Sequence, residues 1–173
     1  MRRTSQDMAA KRLNLGCGHD KRPRSEGWLN VDADPSFKPD LVHDISQGLP
    51  FSDEEFEHVE LKDVLEHVGY PRVESVLSEV RRVLKRQGTL YVQCPDMEAI
   101  AEKVILSGRY DWDRISYWVY GRQSETTQKW LWETHKSGFT ITTLKKLLEA
   151  MDFEVLEIRN DGGTNIQCWA RRV

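Results

Sequence analysis

Short apolar runs recur along the chain and are separated by polar, turn-forming stretches. Leu13 and Leu15 alternate with polar residues, and later runs such as 89–94 are rich in β-compatible side chains. Runs of this kind predict buried strands. The predicted strands lie near residues 13–15, 28–32, 40–43, 56–61, 89–94, 153–158 and 166–170.

Two longer stretches have helical periodicity. Between Pro71 and Gly88, apolar residues recur at three- and four-residue spacing, which predicts a helix with one face packed on a sheet and Gly88 at its stop. Its predicted last turn holds a basic cluster: Arg81, Arg82, Lys85 and Arg86. A second predicted helix follows Thr140, a candidate N-cap, and runs to Met151.

The order of these elements predicts the fold class. Strands joined by crossovers indicate an α/β fold with a mostly parallel sheet, and the last two strands flank the turn 160–163 as an antiparallel hairpin. The first crossover, 19–27, is unusually short. With 173 residues and no visible linker, we expect a single domain over 1–173.

Residues 107–138 break the periodic pattern. Four tryptophans and three tyrosines lie there among polar residues. Aromatic residues in such a segment can form a lid or wall over an active site, because they offer large apolar faces with polar tips. A satellite core beneath an irregular insertion is an equally good interpretation.

Composition narrows the partners and the setting. A net charge of -3 and a pI near 6.0 give no global attraction to nucleic acid, which we do not expect as a partner. Cys17, Cys94 and Cys168 lie far apart, so a reducing, cytoplasmic location is expected. No stretch indicates a membrane span or a secretory signal.

Small and acidic residues follow the first three strands. Gly16 and Gly18 end the first strand, Asp32 ends the second, and Asp44 follows the third. Glycines allow close backbone approach to a ligand, and a strand-end carboxylate can accept hydrogen bonds from ribose hydroxyls. A plain strand-ending turn with a solvated aspartate is the alternative.

Several motifs together resemble class I S-adenosylmethionine-dependent methyltransferases, most closely the small bacterial type 11 branch. They are Leu-Asn-Leu-Gly-Cys-Gly18, Asn-Val-Asp32, His43-Asp44, Leu65-Glu-His-Val68, the segment 80–88 and His135-Lys-Ser-Gly-Phe-Thr140. The resemblance spans residues 12–171. It implies a Rossmann-like three-layer sandwich with a mostly parallel seven-stranded sheet whose last strand is antiparallel.

The resemblance also implies a cofactor, S-adenosylmethionine, and the residues that hold it. Gly16 and Gly18 would pass beside the methionine portion, Asp32 would hold the ribose, and Asp44 with Ile45 would meet the adenine. The full set of implied cofactor-binding residues is Leu15, Gly16, Cys17, Gly18, Asp32, Ala33, His43, Asp44, Ile45, Lys62 and Asp63. The sequence departs from the family at Asn14, where an acid is usual.

Methyl transfer depends mainly on positioning the acceptor behind the methyl group. A hydroxyl or ammonium acceptor must also lose a proton, and His67 and His135 are the candidate catalytic bases. Glu66 beside His67 supplies two metal-ligand types, but two adjacent ligands do not make a site, so we expect no metal.

The expected function is methyl transfer to an O or N atom of a small-molecule or sugar-like acceptor. Two alternatives remain open. A nicotinamide-dependent oxidoreductase shares the strand, glycine turn and ribose acid, but its third glycine is absent here. A non-catalytic domain that binds the cofactor as an interaction module would carry the same motifs.

Overall fold

The seven predicted strands form one sheet in a computed structural model that describes residues 10–123 and 130–173, without the side chains of Trp130 and Leu131. The strands are β1 Arg12–Leu15, β2 Trp28–Asp32, β3 Leu41–Val42, β4 Phe56–Lys62, β5 Leu84–Pro95, β6 Phe153–Asn160 and β7 Asn165–Arg172. Their order across the sheet is β3-β2-β1-β4-β5-β7-β6.

Strand directions confirm the predicted fold class. β1 pairs in parallel with β2 and β4, and β2–β3 and β4–β5 are also parallel pairs. β7 runs antiparallel to both of its neighbours, β5 and β6. The sheet is therefore the mostly parallel, Rossmann-like sheet with an antiparallel last strand that the sequence indicates.

Helices occupy the connections between strands. They are α1 Val73–Val83, α2 Met97–Ile100, α3 Trp112–Tyr120, α4 Trp130–Glu133 and α5 Ile141–Ala150. A π-helical turn, Ala101–Ile105, continues α2. The first crossover contains only the 3-10 turn Arg24–Glu26, as its length predicts. None of the described helices is long and apolar enough to cross a membrane.

The end of α1 differs from the prediction. The helix stops at Val83, and the stretch 84–88 belongs to β5 instead. Leu84 is fully buried and pairs with Phe56 of β4, so burial in the sheet overrides the helical periodicity of the sequence. Gly88 consequently lies at an irregularity of the strand, where a Cβ atom would come within 2.8 Å of the Lys85 carbonyl.

The N-terminus of α5 agrees with the sequence. The Thr140 side chain accepts a hydrogen bond from the Thr143 amide, and the Thr143 hydroxyl accepts one from the Thr140 amide. This capping box fixes where the helix begins. The segment before the helix lies beside the end of β5, because Phe139 forms a β-bridge with Asp96.

The parallel strands place chemistry at one edge of the molecule. The carboxyl ends of β1, β2, β3, β4 and β5 share one edge of the sheet, and the loops that follow them meet there. The strands also supply a buried apolar core, in which the side chains of Leu13, Leu15, Val59 and Leu61 are fully buried. The functional site must therefore be sought at that edge.

Candidate active site

A cavity of about 400 Å³ opens at the carboxyl edge of the sheet. It has the size of a small-molecule site. Eight of the predicted cofactor-binding residues line it: Gly16, Gly18, Asp32, Ala33, His43, Asp44, Ile45 and Asp63. The fold thus brings together these residues, which the sequence places at or after the ends of strands.

Asp32 is held at the cavity wall by two backbone amides. Its Oδ2 accepts from the Gly18 amide at 2.8 Å, and its Oδ1 accepts from the Asp34 amide at 2.9 Å. Each carboxylate oxygen has further lone pairs for a ligand. The glycine turn and the second strand are therefore joined through the side chain that the sequence assigns to a ribose.

The glycines of the turn have distinct requirements. Gly16 has φ +67°, and a Cβ atom there would lie 2.5 Å from Val64 Cγ2. Gly18 has φ +46°, and a Cβ atom there would meet no described atom within 4 Å. Gly16 is needed for close packing, whereas Gly18 leaves open space beside the cavity.

Asp44 follows β3 and caps a short 3-10 turn. Its Oδ1 accepts from the Ser46 amide at 2.9 Å. Burial acts to raise the pKa of Asp44, but the hydrogen bonds from Ser46 and Gln47 outweigh it and the net pKa is lowered. The carboxyl is consequently an ionised acceptor at neutral pH.

Three predicted cofactor residues do not line this cavity. Leu15 is fully buried in the core, and the Cys17 side chain is also buried, which raises the pKa of its thiol to about 11. Lys62 donates to the Asp20 carboxylate at 2.6 Å. In this structure, Leu15 and Cys17 contribute to the packing of the core, and Lys62 forms an ion pair with Asp20.

A second cavity of about 310 Å³ adjoins the first. Asp63, His67 and Glu133 line both, so the two spaces share a wall. The second cavity also receives Tyr117 and Trp118 from α3. Polar side chains, among them Arg122, Glu133 and Asn165, also line it. Such a lining suits a ligand with hydrogen-bonding groups.

Both predicted catalytic histidines reach the second cavity. The rings of His67 and His135 lie 5.1 Å apart between centroids, and Glu66 lies beside them. Burial lowers the pKa of His67 to about 4, and burial also lowers the pKa of His135. Both imidazoles are therefore neutral at pH 7 and present unprotonated nitrogens.

Other lining residues were not predicted. Val64, Arg72, Trp132 and Lys136 contribute to the first cavity from loops that are distant in sequence. Val64 and Arg72 lie in the segments around the Leu-Glu-His motif, and Trp132 lies in the aromatic stretch, so the motif and the aromatic run were the available signals. Nothing in the local pattern marks Lys136 as a wall of the cavity.

A family comparison agrees with this geometry. A family model described as a methyltransferase domain, of the type 11 group, matches residues 24–92. The segment 24–92, which is less than half of the chain, is therefore similar to the type 11 methyltransferase domain. The match covers β2 to β5, including Asp32, Asp44 and the Leu-Glu-His segment. The match agrees with the predicted resemblance to type 11 methyltransferases, whose cofactor is S-adenosylmethionine.

Solved structures share the fold at low sequence identity. A SAM-dependent methyltransferase from Methanosarcina mazei is 22% identical, with a TM-score of 0.65, over 94% of this chain and 92% of that one. One from Mesorhizobium loti is 18% identical, with a TM-score of 0.63, over 95% and 91%. The 1,6-didemethyltoxoflavin-N1-methyltransferase of Burkholderia thailandensis is 14% identical, with a TM-score of 0.61, over 94% and 70%. No curated protein matches the chain.

Proposed function

We propose that the protein transfers a methyl group from S-adenosylmethionine to an O or N atom of a small-molecule or sugar-like acceptor. The observation that carries this proposal is the pair of adjoining cavities at the carboxyl edge of the sheet. The first contains the glycine turn, Asp32 and Asp44. The second contains the histidines and aromatic residues, and the shared wall puts the two ligands side by side.

The first cavity fits S-adenosylmethionine on structural grounds. Gly18 leaves open space where any larger residue would place a side chain, and Asp32 offers carboxyl oxygens as acceptors to the ribose hydroxyls. Asp44 and Ile45 stand beside the space where the adenine would lie. The cofactor has no phosphate, so the absence of a third glycine from the turn is no obstacle.

The chemistry follows from the cofactor and the two cavities. When bound, the cofactor supplies a methyl group on a sulfonium: the acceptor atom bonds to the methyl carbon as the carbon–sulfur bond breaks, and the electron pair remains on sulfur. The protein must hold the acceptor in line and allow its proton to leave. His67 and His135 are the proposed catalytic residues, because both line the acceptor cavity.

The acceptor class is argued from the second cavity. Tyr117 and Trp118 offer aromatic faces, while Arg122, Glu133 and Asn165 offer polar groups. Such a mixture suits a small ring compound or a sugar with hydroxyl or amino groups. The Burkholderia neighbour, a 1,6-didemethyltoxoflavin-N1-methyltransferase solved with 1,6-didemethyltoxoflavin and S-adenosylhomocysteine bound, supports a small acceptor. The segment 107–138 would then cover the acceptor, as its aromatic residues predict.

Calorimetric titration of the purified protein tests this proposal against its alternatives. We expect one equivalent of S-adenosylmethionine or S-adenosylhomocysteine to bind per chain and NAD⁺ not to bind. Saturable binding of NAD⁺ without binding of S-adenosylmethionine would overturn the proposal in favour of an oxidoreductase. A labelled-methyl transfer assay with hydroxylated aromatics and amino sugars then separates an enzyme from a domain that only binds the cofactor.

A further inference from the structure

Three metal-ligating side chains meet in the second cavity, and one of them, His67, also lines the first. Candidate ligand atoms of Glu66, His67 and His135 all lie within 4.8 Å of one another. Glu66 Oε1 is 3.9 Å from His67 Nε2. The third residue comes from a segment 68 positions further along the chain, so this cluster is a product of the fold.

Glu66 is a buried carboxyl with an oxygen that lacks a partner. The residue is 2% exposed, and its Oε2 has no hydrogen-bond partner among the described residues. Burial raises its pKa to about 8. A buried polar atom without a partner destabilises the fold and calls for a ligand or another compensation.

The His67 ring is oriented as a metal ligand would be. Its Nδ1 lies 3.2 Å from the Thr134 carbonyl oxygen. Because a carbonyl only accepts, Nδ1 carries the proton and Nε2 keeps its lone pair on the side of Glu66. A backbone carbonyl that fixes one ring nitrogen commonly accompanies a histidine ligand.

His135 has the same kind of support. The carbonyls of Val119 and Trp118 interact with its ring and oppose the lowering of its pKa by burial. The main chain around the cluster is also tied together, since the main-chain carbonyl of Glu66 accepts from the amides of Lys136 and Ser137 at 2.6 and 3.1 Å.

The geometry points to a site for one divalent transition-metal ion, such as Zn²⁺, bound by Glu66, His67 and His135 with its open position toward the second cavity. Two imidazoles and one carboxylate are a ligand set that such ions accept. At metal–ligand distances of about 2.1 Å, the ligand atoms would stand roughly 3–3.5 Å apart, so the cluster must contract by about 1 Å on binding. Asp63, beside the cluster, adds negative charge that favours a cation.

A bound ion would give the two histidines a defined role. Resting on the proposed function, we assign the open position to the reacting oxygen or nitrogen of the acceptor, whose pKa the ion would lower so that its proton passes to solvent water before methyl transfer. His67 and His135 would then act as metal ligands and not as proton acceptors. The sequence expectation of no metal rested on only two adjacent ligands. The structure adds the third.

Metal titration of the full chain tests this assignment. Protein stripped with a chelator and dialysed is titrated with Zn²⁺ by calorimetry and with Co²⁺ by visible absorption. We expect one ion per chain, with Co²⁺ bands typical of nitrogen and oxygen ligands. Glu66→Gln and His135→Ala should each weaken binding at least about tenfold. No stoichiometric binding by the wild type would overturn the site, whatever the variants do.

A matched control is His58 of β4, which lines neither cavity. His58 lies 3.5 Å from Glu60 but has no third ligand type in its group among the described residues, so His58→Ala should leave metal binding unchanged. Equal weakening by His58→Ala, or unchanged binding in both cluster variants, would contradict the assignment. Thermal unfolding of each variant shows whether it is folded.

Titration of the metal-free protein with S-adenosylhomocysteine separates this inference from the proposed function. We expect cofactor binding to persist without metal, because the first cavity contains neither Glu66 nor His135. Metal binding without cofactor binding would defeat the proposed function and leave the site standing. Cofactor binding without metal binding would overturn the metal site and leave the proposed function standing.

Discussion

Asp32 is the residue on which we expect cofactor binding to depend most. Its carboxylate is fixed by the amides of Gly18 and Asp34 and still faces the cavity. It is preorganised to accept from a ribose, so little ordering is needed when the ligand arrives. Its charge also makes those hydrogen bonds stronger than neutral ones.

We predict that Asp32→Asn lowers the affinity for S-adenosylhomocysteine by roughly 10–100-fold, because charge-assisted hydrogen bonds are lost. Calorimetry measures the change. Asp152→Asn is the matched control: Asp152 pairs with Arg81, lies in neither cavity and should leave affinity unchanged. Equal affinities of wild type and Asp32→Asn would remove Asp32 from the cofactor site.

Asn14 explains a departure from the family pattern. Its buried amide donates to the Asp20 carbonyl at 2.9 Å and to Asn30 Oδ1 at 3.1 Å. Asn30 in turn accepts from the Arg22 amide and donates to the Arg22 carbonyl. The pair of asparagines therefore ties the short first crossover to the sheet, a task that requires a donor at position 14.

We predict that Asn14→Asp lowers the free energy of unfolding by roughly 2–4 kcal/mol, because two buried acceptors lose their donor and a protonated carboxyl could replace only one. Urea denaturation at pH 7 measures this. Gln87→Glu, an isosteric change at an exposed position, should alter stability little. A fully stable Asn14→Asp protein would show that the amide donor is dispensable.

At the residue level, the sequence predicts the lining of the first cavity where a side chain follows a strand directly. Asp32 and Asp44 were found because the ends of parallel strands must share an edge. Lys62 was also placed there, yet its side chain turns to Asp20. Trp132 and Lys136 could not be found in this way, because their place at the cavity depends on how a long, irregular segment folds back.

At the level of elements, the C-terminal end of α1 is anchored by an ion pair. Arg82 donates to both oxygens of Glu79, at 2.7 and 2.8 Å, and Glu79 Oε2 also accepts from the Leu49 amide. Arg82 further donates to the carbonyls of Leu49 and Phe51. These bonds join the helix to the loop before β4.

This anchor predicts a pH dependence of stability. The Arg82 guanidinium, assisted by the Leu49 amide, lowers the pKa of Glu79 from 4.5 to about 2. The stabilisation is therefore complete above about pH 4.5 and is lost as the pH falls toward 2. Because the pair is partly exposed, we expect a contribution of roughly 1 kcal/mol.

Urea denaturation between pH 7 and pH 2.5 measures this contribution. Glu79→Gln should be less stable than wild type at pH 7, and the difference should shrink as the pH falls below 4.5. Glu74→Gln, an exposed change near the start of the same helix, is the control. A Glu79→Gln deficit that is constant across this range would contradict the ion-pair account.

The elements were predictable where periodicity and burial agree. All seven strands were predicted, as was the Thr140 cap. The predicted C-terminal end of α1 was wrong, because Leu84 fits the helical spacing of apolar residues but belongs to β5 in the structure. Within 107–138, α3 and α4 were not predicted, because their aromatic residues have no clear helical period.

At the level of the whole molecule, the residues proposed to bind the cofactor and the acceptor lie at one edge of the sheet. The glycine turn, both strand-end aspartates and the Glu66 cluster lie around two cavities that share a wall. A cofactor in the first cavity and an acceptor in the second would therefore be neighbours. The central claim is this division of the site into a cofactor half and an acceptor half.

A crystal structure of the protein with S-adenosylhomocysteine tests that claim most directly. The account predicts the ribose hydroxyls within hydrogen-bonding distance of Asp32, the adenine beside Asp44 and Ile45, and the sulfur directed toward the cavity that contains His67 and His135. A ligand bound elsewhere, or one that lies across the second cavity with its sulfur turned from the histidines, would contradict it.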